Sequence, residues 1–246
     1  MDSGYYAACT ALKSRTEALD TIANNLANSS TTGYRARHNV FSSVLATTGD
    51  RPLSELNTTT NNYGVLSSTR FDISQGSLQK TGNELDLGIA GPGFFSVQTA
   101  TAGVHYTRNG NFHVSTQGLL VTAAGDKVLG EKGVIAIVGA PVAISPDGTI
   151  SVNGAIAGRL KMVEFPAAEN LESVGNNNYS APAGTALPAT HTTLEQGALE
   201  SSNVNAITSV VEMISAQREA ETMRRVLTMF NNDMDKTAAE DLPRVG

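Results

Sequence analysis

The last fifth of the chain constrains the fold more than any other stretch. From Asn203 to Lys236 it contains neither Gly nor Pro, and apolar residues return at alternating steps of three and four at Val204, Ile207, Val211 and Ile214. A second seam runs through Met213, Ala216, Ala220, Met223, Leu227, Phe230 and Met234. A repeat of about 3.5 to 3.6 residues is that of an amphipathic helix, here roughly 50 Å long at about 1.5 Å per residue. The two seams overlap and then drift apart, so the apolar surface is wider than one coiled-coil stripe.

The other end of the chain carries a similar stripe. Asp2 or Ser3 is suited to cap a helix, and small or apolar residues follow at Tyr5, Ala8, Leu12, Leu19, Ile22 and Leu26, with only Arg15 interrupting the seam. The simplest burial of two such stripes lays them against each other. The predicted fold is therefore mixed α and β, with paired long N- and C-terminal helices as a coiled-coil-like base and an inserted antiparallel β-rich domain. The predicted divisions are an N-terminal helix and turn at 1–45, a linker or neck at 46–84, the β-rich domain at 85–165, a return linker or neck at 166–202 and the C-terminal helix at 203–246. Two helices make a layer too thin to enclose a large core. Their outer faces are expected to be covered by copies of the same chain or close relatives, through Leu12, Leu19, Ile22, Leu26, Val204, Ile207, Val211, Ile214, Met223, Leu227 and Phe230.

Composition supports burial between subunits over one dense core: the chain has no Trp and only 5% aromatic residues. A net charge of −6 without any basic run argues against a nucleic-acid partner. No apolar run reaches the roughly 18 residues of a membrane span, so no membrane insertion is expected. The N-terminus lacks the charged start, apolar core and small-residue cleavage site of a secretory signal, so any route out of the cytosol is expected to be one that does not read a cleaved signal peptide. Cys9, the single cysteine, has no internal disulfide partner and reads as a small buried hydrophobe.

Between the helices the pattern changes to short apolar runs broken by turn residues. The polar cluster from Asn28 to Gly33 stops the first helix, and the β signal begins at Gly64. Leu85 to Ile89 and Gly93 to Thr99 are separated by the turn Gly91-Pro92-Gly93, and Val104 to Val114 reads as a hairpin around Asn109-Gly110. Further turns fall at Ala124-Gly125-Asp126 and Ser145-Pro146-Asp147-Gly148, which indicates an antiparallel sandwich or open barrel. Gln75-Gly76-Ser77-Leu78 before this region is echoed by Gln196-Gly197-Ala198-Leu199 after it. The pair reads as the strands that enter and leave the central unit.

No constellation for catalysis or cofactor binding emerges. His38, His105, His113 and His191 are dispersed, and in the expected hairpin His105 and His113 are out of register for sharing a metal. Gly88, Gly91 and Gly93 have the wrong spacing for a dinucleotide fingerprint, and a strand follows them where a helix would be needed. Asp72, Glu84, Asp86 and Glu164 are scattered along the chain. The reading is of a protein that is not an enzyme and carries no metal or cofactor.

Several stretches together carry a resemblance. Asn24-Asn25-Leu26-Ala27-Asn28 followed by Thr31-Thr32-Gly33-Tyr34-Arg35 resembles the N-terminal signature of the bacterial flagellar axial proteins, which include rod, hook and hook-associated subunits. Gln75 to Leu78, Thr81-Gly82-Asn83, Gly91 to Phe95, Tyr106 to Phe112 and Gly118 to Thr122 are similar to the central region of rod proteins. Glu200 to Asn203, Glu212-Met213-Ile214 and Ala216-Gln217-Arg218 resemble their C-terminal helix motif. Ser29-Ser30 and Tyr34 depart from the commoner Val-Asn and Phe. The shorter connection from Phe41 to Asp72 and the ending through Arg224, Arg225 and Lys236 resemble the proximal-rod branch more than the distal one.

This likeness implies a structural subunit of the periplasmic drive shaft of the flagellum. Its implied partners are copies of itself, other proximal and distal rod proteins, and the flagellar type III export apparatus in transit. A distal rod or hook subunit is the alternative within the family. A secreted β-rich adhesin or hydrolase is the alternative from another class.

Overall fold

The computed structural model describes residues 2–44, 63–99, 103–166 and 171–241. They divide into two compact units, one of residues 2–26, 37–44, 63–69 and 206–241 and the other of 27–36, 70–99, 103–166 and 171–205. The first unit holds α1 (Asp2–Ala27), a ribbon of β1 (Arg37–Val44) with β2 (Tyr63–Phe71), and α2 (Ala206–Asp241). The apolar repeats of both terminal segments fold as helices, and α1 stops where the Asn28 to Gly33 cluster begins, with Gly33 at a φ of 69°.

The second unit is built from short strands. It begins with β3 (Leu78–Lys80), β4 (Leu87–Ala90), β5 (Gly93–Gln98), β6 (Val104–Thr107), β7 (Phe112–Val114), β8 (Leu120–Thr122), β9 (Lys127–Gly130) and β10 (Gly133–Val134). It continues with β11 (Val142–Ile144), β12 (Thr149–Val152), β13 (Ala155–Arg159), β14 (Met162–Glu164), β15 (Glu172–Gly175), β16 (Asn178–Ser180), β17 (Leu187–Pro188), β18 (Thr193–Gln196) and β19 (Ala198–Glu200). The largest sheet runs β15-β16-β6-β5-β9-β8-β7, with β14 also on β5, and its strand pairs are antiparallel.

Strand β5 shows why the core sits here. Successive side chains point to opposite faces of a sheet, and every residue from Gly93 to Val97 is buried. Phe95 and Val97 enter one cluster with Leu87, Ile89, Phe112, Leu120, Val128 and Ile150, where Phe95 meets Phe112 edge-on at 5.0 Å. Phe94 points the other way into a second cluster of Val163, Phe165, Leu171 and Tyr179, stacked edge-on at 5.4 Å from Phe165 and 5.9 Å from Tyr179. Burial of each such side chain contributes about 1.5–3 kcal/mol.

The expectation of paired long helices with an inserted β domain is overturned. The described residues contain two helices, one at each end, and a large antiparallel β-rich middle in which strand residues outnumber helical ones. Strand begins at Arg37, ten residues after α1, and runs through the return segment, where β15, β16, β17 and β18 form. The large apolar side chains that are fully buried lie in the β body, where short strands bury both faces of the central sheet.

The hairpin expected at Asn109-Gly110 is also absent. Strand β6 pairs with β5 and β16, and β7 pairs with β8. The chain between them dives inward: the Arg108 side chain is buried, and the Gly110 carbonyl accepts a 3.0 Å hydrogen bond from the Leu87 N–H. Tertiary partners thus outweigh the local turn preference. The turns at Gly125 and at Asp147-Gly148 form between β8 and β9 and between β11 and β12.

Candidate assembly surface and the buried charge node

The residues expected to meet other subunits lie on the two helices and their approaches, and none of them is fully buried. Leu12, Leu19, Ile22 and Leu26 on α1 are half-buried, as are Val204, Met223 and Leu227. Ile207, Val211 and Ile214 form a line on one side of α2 and are 80%, 63% and 48% exposed, and Phe230 is exposed further along. Among the described side chains, what the first unit buries from its helices is small or polar: Ala8, Ser14, Asn25, Ser209 and Ala216. Cys9 is half-buried. The Arg15 guanidinium reaches Glu219 at 3.1 Å across the two helices, a half-exposed pair of the kind that contributes little.

The seam is therefore apolar surface held in water. An aliphatic stripe at positions 207, 211 and 214 returns to one face every turn, and covering it would gain about 25 cal/mol per Å² of apolar area removed from solvent.

A second arrangement lies inside the β unit and has no motif of its own in the sequence. Arg35, Arg108 and Glu200, from segments 73 or more residues apart, are all completely buried. Glu200 accepts from both guanidiniums. Arg35 Nη2 binds its Oε1, and Arg108 Nη1 lies 3.3 Å from Oε1 and 3.2 Å from Oε2. The Gly76 N–H adds a 2.9 Å bond to Oε1, and the Gly33 N–H donates to the Glu200 backbone carbonyl at 2.8 Å. Arg108 also donates to the Gly91 carbonyl at 2.8 Å and lies 4.9 Å above the Phe94 ring.

Two cations share one anion here, so the node carries a net positive charge away from water. Burial and the nearby Arg35 charge pull the Arg108 guanidinium down to about 10, against the opposing pull of Glu200. At about 10, Arg108 stays protonated at neutral pH.

The strands that carry Leu78 and Leu199, the last residues of the two Gln-Gly repeats, pair within this unit. Strand β19 pairs with β3 in the register Ala198↔Lys80, Leu199↔Gln79 and Glu200↔Leu78. Asn203 closes the same corner: its Oδ1 accepts from the Ala36 N–H at 2.7 Å, and its Nδ2 donates to the Asp72 carbonyl at 2.9 Å. Arg35, Arg108, Glu200 and Asn203 each lie in a stretch that carried the resemblance, but their burial and their partners across the chain have no signature in local spacing.

His105 on β6 and His113 on β7 are separated by β5, β9 and β8. Among the described residues, no group of three or more His, Cys, Asp and Glu side chains is placed to hold a metal, and no helix is long and apolar enough to cross a membrane.

A solvent-held seam on terminal helices joined to a well-packed β body defines a structural assembly protein. Residues 6–35 match the family described as "Flagella basal body rod protein", residues 88–152 the "Flagellar hook protein FlgE/F/G D1 domain" and residues 195–240 the "Flagellar basal body rod FlgEFG protein C-terminal". The chain is 31% identical to the flagellar basal-body rod protein FlgF of Caulobacter vibrioides, with all of both chains covered. It is 32% identical to FlgF of Escherichia coli over 95% of this chain and 96% of that one. It is 31% identical to the rod protein FlgG of Bacillus subtilis over 91% and 93%. The chain belongs to the flagellar basal-body rod protein family, and it is a structural rod subunit of the FlgF-like kind, located in the flagellar basal body.

Proposed function

We propose that the chain is a proximal-rod subunit. In this reading its terminal helices pack against those of copies of itself and of other rod and hook proteins, building the hollow shaft that carries torque across the periplasm from motor to hook. Assembly runs through Leu12, Leu19, Ile22 and Leu26 on α1, through Ile207, Val211, Ile214, Met223, Leu227 and Phe230 on α2, and through Val204 just before it. The chain reaches its site by the flagellar type III export apparatus and performs no catalysis.

The observation that carries the reading is the exposure of Ile207, Val211 and Ile214 on one side of a 36-residue helix. Such a stripe gains only when a neighbour covers it. The residues resembling the proximal branch support the position within the shaft, while the likeness to a FlgG protein supports a distal position as the second reading.

Basal bodies isolated from cells expressing a labelled copy distinguish the two. Label at the motor-side end of the rod is the expected result. Label at the hook-side end assigns the distal position, and basal bodies free of label contradict both readings.

A further inference from the structure

Rod assembly through helical seams makes no use of the Arg35–Glu200–Arg108 node, yet the node lies where three distant parts of the β unit converge. Residues 193–203 are bonded along their whole length. Strand β18 pairs with β4 from Thr193↔Ala90 to Gln196↔Leu87. The Gly197 carbonyl accepts from Thr81 and Gly82, and the Ser201 N–H donates to Ser77. Asn203 joins Ala36, Asp72 and Ser74. Glu200 sits in the middle, with Arg35 from the N-terminal segment on one side and Arg108 from the sheet on the other.

We infer that residues 193–203 act as a latch on the β unit with Glu200 as its catch, so that residues 27–36 dock only on a closed latch, and opening the latch releases both segments while β5, β8 and β9 stay folded.

The physical basis is charge balance. Without the carboxylate, Arg35 and Arg108 would stand together without a counter-charge in a site closed to solvent, which disfavours bringing either one in. With it, both guanidiniums are bonded and the N-terminal segment docks on its far side. The unit is discontinuous in sequence, made of residues 27–36 and 70–205. The catch lies near its C-terminal limit, so a chain appearing from its N-terminus lacks the counter-charge until residue 200 has emerged. The latch is independent of the position of the subunit along the rod.

Amide exchange on the full-length protein, compared with Glu200→Gln and Arg35→Gln, tests this. The Glu200→Gln variant keeps the shape and removes the charge. It is expected to lose protection by about tenfold or more at residues 33–36, 76–82 and 198–203, while residues 120–130 remain protected. In Arg35→Gln the Arg108–Glu200 pair survives, so only residues 33–36 are expected to exchange faster. The inference is overturned if, in Glu200→Gln, the latch and residues 120–130 lose protection together, as they would in a variant that fails to fold. It is overturned equally if both keep their protection, or if Arg35→Gln opens 198–203 as fully as Glu200→Gln does.

Discussion

Asn25 holds Arg37 by both polar groups of its backbone: the Asn25 Nδ2 donates to the Arg37 carbonyl at 2.8 Å, and the Arg37 N–H donates to the Asn25 Oδ1 at 2.9 Å. A side chain near the end of α1 thereby takes the place of a strand neighbour for the first residue of β1. Thr21 repeats the tie one turn earlier, donating to Asn39 Oδ1 at 2.9 Å.

Replacing Asn25 tests that tie. Asn25→Ala removes both bonds from a buried site and is expected to lower stability by about 1–3 kcal/mol. Asn25→Asp keeps the acceptor but sets a carboxylate against the Arg37 carbonyl, and at neutral pH it is expected to cost at least as much. Urea midpoints at unchanged slope measure both effects.

Close approach at Gly110 gives a second prediction. A Cβ there would lie 1.7 Å from the Leu87 carbonyl oxygen. Gly110→Ala must therefore displace the backbone of β4 and is expected to cost about 3 kcal/mol or more. At Gly125, φ is +87° and nothing stands within 4 Å of an added Cβ, so Gly125→Ala is expected to cost only the conformational strain, about 1 kcal/mol. Equal thermal shifts for the two variants would contradict the packing described around Gly110.

The Glu164 carboxylate accepts from the His191 N–H at 2.9 Å and the Thr192 hydroxyl at 2.8 Å. Burial pushes its pKa up, but these bonds and the adjacent His191 outweigh it and leave the group below its usual 4.5. A carboxyl depressed in the folded state contributes stability that is fully present above the unfolded value and lost as pH falls through the folded one. Acid titration of unfolding free energy is expected to show this loss below about pH 4.5 in the wild type, and a shallower decline in Glu164→Gln.

The parts of this fold that sequence reveals are those governed by local rules. The apolar repeat from Val204 to Phe230 specifies a helix whatever it packs against, and Asp147-Gly148 specifies a turn because its Asp147 side chain caps the Thr149 N–H at 3.1 Å. Asn109-Gly110 carries an equally strong hairpin signal, but Arg108 is drawn inward by Glu200, 92 residues away. Strand β16 was hidden for a related reason: Asn178-Tyr179-Ser180 has no apolar alternation, and it is held by β6 through Asn178↔Thr107 and Tyr179↔Tyr106. The charge node was the least legible feature, since Arg35, Arg108 and Glu200 look like surface residues until the chain brings them together.

If the α2 seam serves neighbouring subunits and not the monomer, the combined variant Ile207→Ser, Val211→Ser, Ile214→Ser separates the two roles. Its urea unfolding free energy as a purified chain is to be compared with its recovery in isolated basal bodies. Monomer stability is expected within about 0.5 kcal/mol of wild type, with little or no subunit in the rods and swimming lost. A monomer weakened by several kcal/mol, or rods that take up the variant normally, would contradict it.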